Sequence, residues 1–146
     1  MNDKPWCQIY DLDGTLAIKS DRGHYDWDRV DEDTENENIS HLIWMNSWAR
    51  DRGYGDSVII VSGRSDICRD KTHKWLQDSA MYHSALYMRK NGDYRDDTVV
   101  KEEIFNEYIK DKYNVRFVVD DRPKVCRMWR SLGLTVLHVG DPHVEF

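Results

Sequence analysis

The chain has little cysteine, no long hydrophobic run and no surplus of basic charge, and each shortage removes a class of protein. Its three cysteines, Cys7, Cys68 and Cys126, are dispersed and form no C-x-x-C pair. That argues against a disulfide framework or a zinc site and for free thiols in a reducing compartment. No apolar segment approaches the roughly 20 residues of a bilayer span, so no membrane partner is expected. The opening MNDKPWCQ has neither a basic n-region nor an apolar h-region, so it does not read as a secretory leader and a cytoplasmic protein is expected. With 21 Lys+Arg against 27 Asp+Glu, a net charge of −6, a broad nucleic-acid-binding face is disfavoured, because counterion release needs many basic contacts. Recognition of one phosphate is not. Internal repeats and low-complexity tracts are also lacking.

What remains is 146 residues with 40% hydrophobic and 33% charged content, the profile of one globular domain, 1–146. Short apolar runs, WCQIY (6–10), SVIIV (57–61), ALYM (85–88), VRFVV (115–119) and LTVLHV (134–139), alternate with segments of helical period. Ile39, Leu42, Ile43 and Ala49 mark one helix, ending near Gly53. Cys68, Thr72, Trp75, Leu76 and Ser79 mark a second. Val100, Ile104 and Tyr108, with Phe105 and Ile109, mark a third. Val125, Met128, Trp129 and Leu132 mark a fourth, with Pro123 in its first turn and Gly133 as its cap. Runs apolar on both faces and separated by helices predict an α/β fold, a doubly wound parallel sheet of five core strands. The acidic piece 19–38, KSDRGHYDWDRVDEDTENEN, breaks the alternation. It reads either as a solvated loop, especially after Asp28, or as a flap over the end of the first strand.

In such sheets ligands bind beyond the carboxyl ends of the strands, and charged groups gather there. Asp11 and Asp13 follow the first run, Ser62, Gly63 and Arg64 the second, Arg89 and Lys90 the third, and Asp120 and Asp121 the fourth. Lys101 falls in the first turn of the third helix, on the side of Ile104 and Phe105, and is expected to lean toward the sheet. Singly, each group has an ordinary reading: an Asx turn, a loop start, a solvated lysine, a helix N-cap. Together, at successive strand tips, they predict a cation. Clustered carboxylates repel without one, and hard oxygen ligands with no Cys or His beside them favour Mg²⁺ next to a phosphate.

These residues resemble the four motifs of the haloacid dehalogenase (HAD) phosphotransferase superfamily: YDLDGTL (10–16), VSGR (61–64), Lys101, and VVDDRP (118–123). Longer stretches, DLDGTLAIKSDRGHYDWDRVDEDTENENI, IIVSGR, DDTVVKEEIF and DDRPKVCRMWRSLGL, are similar to the 3′-phosphatase domain of the phage polynucleotide 5′-kinase/3′-phosphatase family, over nearly the whole chain. The resemblance implies a HAD-like Rossmannoid with strand order 3-2-1-4-5 and no large cap, only the 19–38 flap. It implies a Mg²⁺-dependent phosphatase that removes 3′-phosphates from DNA or RNA ends through an aspartyl-phosphate, acting in the cytoplasm, the host's if the source is viral.

The same resemblance assigns roles. Asp11 is the nucleophile and Asp13 the general acid/base. Ser62 and Lys101 hold the phosphoryl oxygens. Thr15, Arg22, Gly63, Arg64, Arg89, Arg95 and Asp97 line the substrate site, with Asp97 orienting Lys101. Asp11, the Asp13 carbonyl, Asp121 and, second to it, Asp120 hold the metal. Tyr25 and Trp27 fit either stacking on a base or packing within the flap. The kinase phosphate loop G-x-x-x-x-G-K-[ST] does not occur, so 5′-phosphorylation is not expected. The alternatives are a HAD phosphatase for another phosphomonoester or a phosphoprotein, and a non-enzymatic receiver-like domain. In receivers the lysine lies near the chain's end, whereas here it precedes the second acidic pair.

Overall fold

The computed structural model describes residues 3–146. The first two positions of the stretch read for a leader, and of the expected 1–146 domain, lie outside them. The apolar runs become strands β1 (Trp6–Tyr10), β4 (Ser57–Ser65), β5 (Ala85–Arg89), β6 (Asn114–Asp120) and β7 (Val136–His138). They form one sheet in the order β5-β4-β1-β6-β7, with every neighbouring pair parallel. This is the expected 3-2-1-4-5 order of the five core strands. A second, two-stranded ribbon pairs β2 (Ala17–Ile18) with β3 (Thr34–Glu35) in antiparallel register.

Alternation along the strands supplies two cores. Tyr10, Val58 and Ile60 face one side, covered by α1 (Glu37–Arg50) through Ile43 and by α2 (Arg69–Asp78) through Trp75 and Leu76. Cys7, Ile9, Ile59, Val61 and Val118 face the other, covered by α3 (Asp97–Ile104) through Val100 and Ile104 and by α4 (Pro123–Ser131) through Val125 and Trp129. Each such aliphatic side chain contributes about 1.5–3 kcal/mol on burial, so the central strands make a rigid platform for whatever their tips carry.

The second strand runs four residues past its expected end. Its pairing with β5 shifts between Ser62 and Ser65, so the strand carries a bulge at Gly63 and Arg64. The third helix does not continue as α-helix. It widens into a π-turn over Phe105–Ile109, which sets Tyr108 flat against Tyr87, centroids 4.6 Å apart.

The 19–38 piece is not a solvated loop throughout. Arg22, Val30 and Asp33 are buried, and a 3-10 helix covers Trp27–Glu32. Among the described residues no cap domain is inserted, and no helix is long and apolar enough to cross a membrane.

Candidate active site

β1 delivers the first acids. Asp11 N–H continues the pairing to Val119 O at 2.9 Å, after which Thr15, Leu16 and Ala17 all donate to the Leu12 carbonyl. Buried Leu12 anchors this turn. Gly14 has φ +80°, and a Cβ there would stand 2.0 Å from Asp121 Oδ2. The glycine is needed twice, for the left-handed backbone and for the acid pressed against it. The turn sends the two carboxylates in different directions.

Asp11 points inward. Its Oδ1 accepts from Lys101 Nζ at 2.8 Å and its Oδ2 from Thr15 Oγ1 at 3.0 Å. Lys101 also donates to Asp120 Oδ2 at 2.9 Å, and Asp120 further accepts from Trp129 Nε1 at 3.3 Å and from the Arg122 N–H at 3.2 Å. Lys101 is buried against the sheet. Asp13 points outward, its side chain 39% exposed, and takes the Arg64 guanidinium: Nη2 at 2.7 Å from Oδ1 and Nε at 3.0 Å from Oδ2.

Arg64 and Arg22 are themselves held from behind. Buried Asp33 accepts from Arg22 Nε and Nη2, both at 2.8 Å, and from Arg64 Nη2 at 2.7 Å. Its backbone carbonyl accepts from Trp75 Nε1 at 2.8 Å, and Thr72 Oγ1 accepts from Arg64 Nη1 at 3.1 Å. Ser62, buried beside them, accepts the Arg64 N–H on its hydroxyl oxygen, which leaves its O–H as a donor.

On the opposite flank, Asp97 is clasped by Arg89 Nη2 and by Arg122 Nη1, the latter at 2.8 Å. Arg89 Nε also caps the Gly63 carbonyl at 2.9 Å. A Cβ on Gly63 would meet Asp97 Oδ1 at 2.6 Å, so this glycine lets the carboxylate lie on the strand. Asp97 reaches Lys101 by charge at longer range, its hydrogen bonds going to the arginines. Arg95 is placed apart: it pairs with Asp93 and Glu103 on the surface. Tyr25 is 84% exposed and meets Trp27 edge-on at 6.0 Å, while Trp27 packs on the core.

The acids fit a hard cation. Asp11, Asp120 and Asp121 each offer a carboxylate oxygen, all within 4.8 Å of one another, and among the described residues the ammonium hydrogen-bonded to them is that of Lys101. Burial pushes the Asp11 carboxyl well above its usual range; Lys101 pulls it back, and Asp120 and Asp121 push it further up. Burial and Asp120 likewise raise Asp121. Burial would lower the Lys101 ammonium, but Asp11, Asp120 and Asp97 override it and hold it above the ordinary lysine value. Negative charge is thus in excess at this point, and all its donors are oxygens, the set that suits Mg²⁺.

Two residues here escaped the sequence. Asp33 lies inside DEDTENEN, where nothing separates it from its solvated neighbours. Arg122 follows the acidic pair directly, but its side chain's destination, Asp97, is 25 positions upstream.

A strand-tip aspartate pair, a buried serine, a helix lysine and a second aspartate pair on a 3-2-1-4-5 parallel sheet define a phosphatase of the HAD class. Residues 5–143 match the family described as the polynucleotide kinase PNKP phosphatase domain, and the chain belongs to that family. It is 37% identical over 147 residues to a putative bifunctional polynucleotide kinase/RNA ligase of Autographa californica nuclear polyhedrosis virus, covering 97% of this chain and 20% of the viral protein. Among solved structures, a chain of the Pnkp1/Rnl/Hen1 RNA repair complex superposes with a TM-score of 0.89 at 34% identity, over 99% of this chain and 45% of that one. A chain of a further Pnkp1/Rnl/Hen1 complex gives 0.87 at 37% identity, over 97% and 48%. The chain thus spans about a fifth of the viral relative's length and under half of either repair-complex chain.

Proposed function

We propose that this chain removes the terminal 3′-phosphate from DNA or RNA ends, with Mg²⁺ and through a phosphate ester on Asp11, as one domain in which 19–38 serves as a flap. The carrying observation is the division of labour across a single turn: Asp11 is turned into the acid cluster while Asp13 is turned out to the arginines.

Asp11 Oδ attacks phosphorus, the bond from phosphorus to the 3′-oxygen breaks, and protonated Asp13 gives its proton to that oxygen. Asp13 then takes a proton from the water that hydrolyses the ester, restoring both carboxyls. Lys101 and the Ser62 hydroxyl donate to the equatorial oxygens, where the charge resides. Arg64 and Arg22 add charge-assisted bonds, and the incoming phosphate competes with Asp13 for the Arg64 fork. Thr15 fixes the rotation of the Asp11 carboxylate, leaving a defined oxygen to attack. Asp11, the Asp13 carbonyl and Asp121 would hold Mg²⁺, which would supply charge neutralisation and orientation there. Asp121 suits direct contact better than Asp120, whose oxygens already serve Lys101, Trp129 and the Arg122 N–H.

The polymer-end substrate is supported by family membership and by the absence of an inserted cap among the described residues, which leaves the cleft open to a chain. The free, buried cysteines Cys7, Cys68 and Cys126 agree with a reducing compartment such as the cytoplasm. The test is a panel of a 3′-phosphorylated oligonucleotide, its 5′-phosphorylated counterpart and a sugar phosphate, each with Mg²⁺. The 3′ end should be turned over repeatedly and preferred by orders of magnitude, and Asp11→Asn should abolish turnover. Equal rates on all three would make the chain a general phosphomonoesterase instead.

A further inference from the structure

One cation at the rim of the site has no part in the chemistry above. Arg122 follows Asp121, and its N–H is fixed on Asp120 Oδ1. Its guanidinium spans toward β4: Nη1 donates to Asp97 Oδ2 at 2.8 Å, and Asp97 lies against Gly63. One face of the guanidinium is covered by the Phe146 ring, whose centroid is 5.2 Å from Cζ. The tail carrying Phe146 is tied down in turn by the Arg127–Glu145 pair.

What is left open is an edge. Nε and Nη2 of Arg122 have no hydrogen-bond partner among the described residues, and the side chain is 33% exposed. Since Asp97 carries one negative charge against both Arg89 and Arg122, the trio keeps a net positive charge. A planar fork, braced on one edge and one face with its second edge free and charged, matches two oxygens of a phosphate. The terminal phosphate already has its cations, Lys101, Arg64 and Arg22. The two arginines converge on Asp13 and Asp33, whereas Arg122 stands on the Asp97 flank.

We propose that Arg122, braced by Asp97, forms a second phosphate subsite that grips the internucleotide phosphodiester next to the terminal 3′-phosphate. This rests on the polynucleotide reading above and adds to it the feature that separates a strand end from a nucleoside monophosphate. Arg122 binds substrate, and Asp97 acts through it as a positioning residue.

The test compares three substrates: a 3′-phosphorylated oligonucleotide, the same oligonucleotide with a neutral methylphosphonate at its last internucleotide linkage, and a nucleoside 3′-monophosphate. Wild type should lose about tenfold to a hundredfold in kcat/KM on the methylphosphonate, the scale of one charge-assisted contact. Arg122→Gln should show a similar loss on the natural oligonucleotide, mainly in KM, with little further loss when the linkage is neutral. That coupling is the signature of direct contact. The slope of log kcat/KM against log salt should flatten by about one in the variant, and Arg122→Lys should recover part of the loss. Unfolding curves of both variants check the fold. Equal methylphosphonate losses in wild type and Arg122→Gln, or a loss in Arg122→Gln as large on the monophosphate, overturn the subsite alone. A wild type inactive on every 3′-phosphate overturns the substrate reading, and the subsite with it.

Discussion

Asp33 Oδ2 lies 2.7 Å from Arg64 Nη2, and both side chains are wholly buried. The same carboxylate holds Arg22 by two bonds, so one residue of the 19–38 segment fixes Arg22 and Arg64 and, through them, the Asp13 carboxylate. Removing one partner of a buried ion pair costs about 3–5 kcal/mol. Asp33→Ala should therefore lower the melting temperature by on the order of 10 °C. Asp33→Asn keeps the shape but cannot neutralise two guanidiniums; it should melt closer to wild type yet raise KM and weaken inhibition by inorganic phosphate. Thermal unfolding and steady-state kinetics read the two effects separately. An Asp33→Asn variant with unchanged KM and phosphate inhibition would show that the arginines are aimed without it.

The sheet was legible because runs apolar on both faces alternate with segments of helical period, the pattern of a parallel sheet covered by helices on each side. Strand-tip positions of Asp11, Ser62, Asp120 and Lys101's helix followed from the same pattern. Of the flap interior, the resemblance named Arg22, but nothing in the sequence named its buried partner Asp33. Arg22 and Asp33 are an intramolecular pair formed by folding 11 residues back on themselves, and in sequence each is one charge among many. Nor did spacing tell which arginines of the 89–95 segment turn inward: Arg89 reaches Gly63 and Asp97, while Arg95 is captured outside by Asp93 and Glu103. On α1 the periodic residues named its inner face, but Trp44 and Trp48, which hydrophobicity alone would bury, stay exposed.

Gly14→Ala tests the close approach. A Cβ would meet Asp121 Oδ2 at 2.0 Å at a φ of +80°, so the carboxylate must move and the backbone carries about 1–2 kcal/mol of strain. The expected result is a modest loss of stability but a large rise in the Mg²⁺ concentration needed for half-maximal activity. A Mg²⁺ titration of wild type and variant measures it. An unchanged midpoint would mean that Asp121 does not hold the ion.

Lys101→Met separates charge from volume. The methionine fills similar space but leaves Asp11 and Asp120 buried together without their ammonium. Without added cation the variant should unfold more easily by roughly 3–5 kcal/mol, and its activity should fall by more than a hundredfold even where Mg²⁺ restores the fold. Denaturant unfolding with and without Mg²⁺, alongside turnover, distinguishes a structural lysine from one that also serves the phosphate.

The acid cluster should make stability depend on pH in the direction opposite to ordinary carboxylates. Burial raises Asp11, and burial with Asp120 raises Asp121, so both folded values lie above the unfolded value near ~3.9. Above that value the folded chain binds more protons than the unfolded one, and stability without metal must fall as pH rises through the folded values of the two acids. Mg²⁺ replaces those protons as the source of positive charge. At a hundredfold excess over its dissociation constant it should contribute about 2.7 kcal/mol near neutral pH, and progressively less as pH falls toward 4 and the acids protonate. Asp11→Asn removes one of the two raised carboxyls while still accepting a hydrogen bond from Lys101. It should melt higher than wild type in EDTA at pH 7, with a shallower pH slope and a smaller gain from Mg²⁺. Melting curves from pH 4 to 8, in EDTA and in Mg²⁺, decide the matter. If Mg²⁺ stabilised the variant as strongly as wild type throughout, the ion would be held elsewhere than on Asp11.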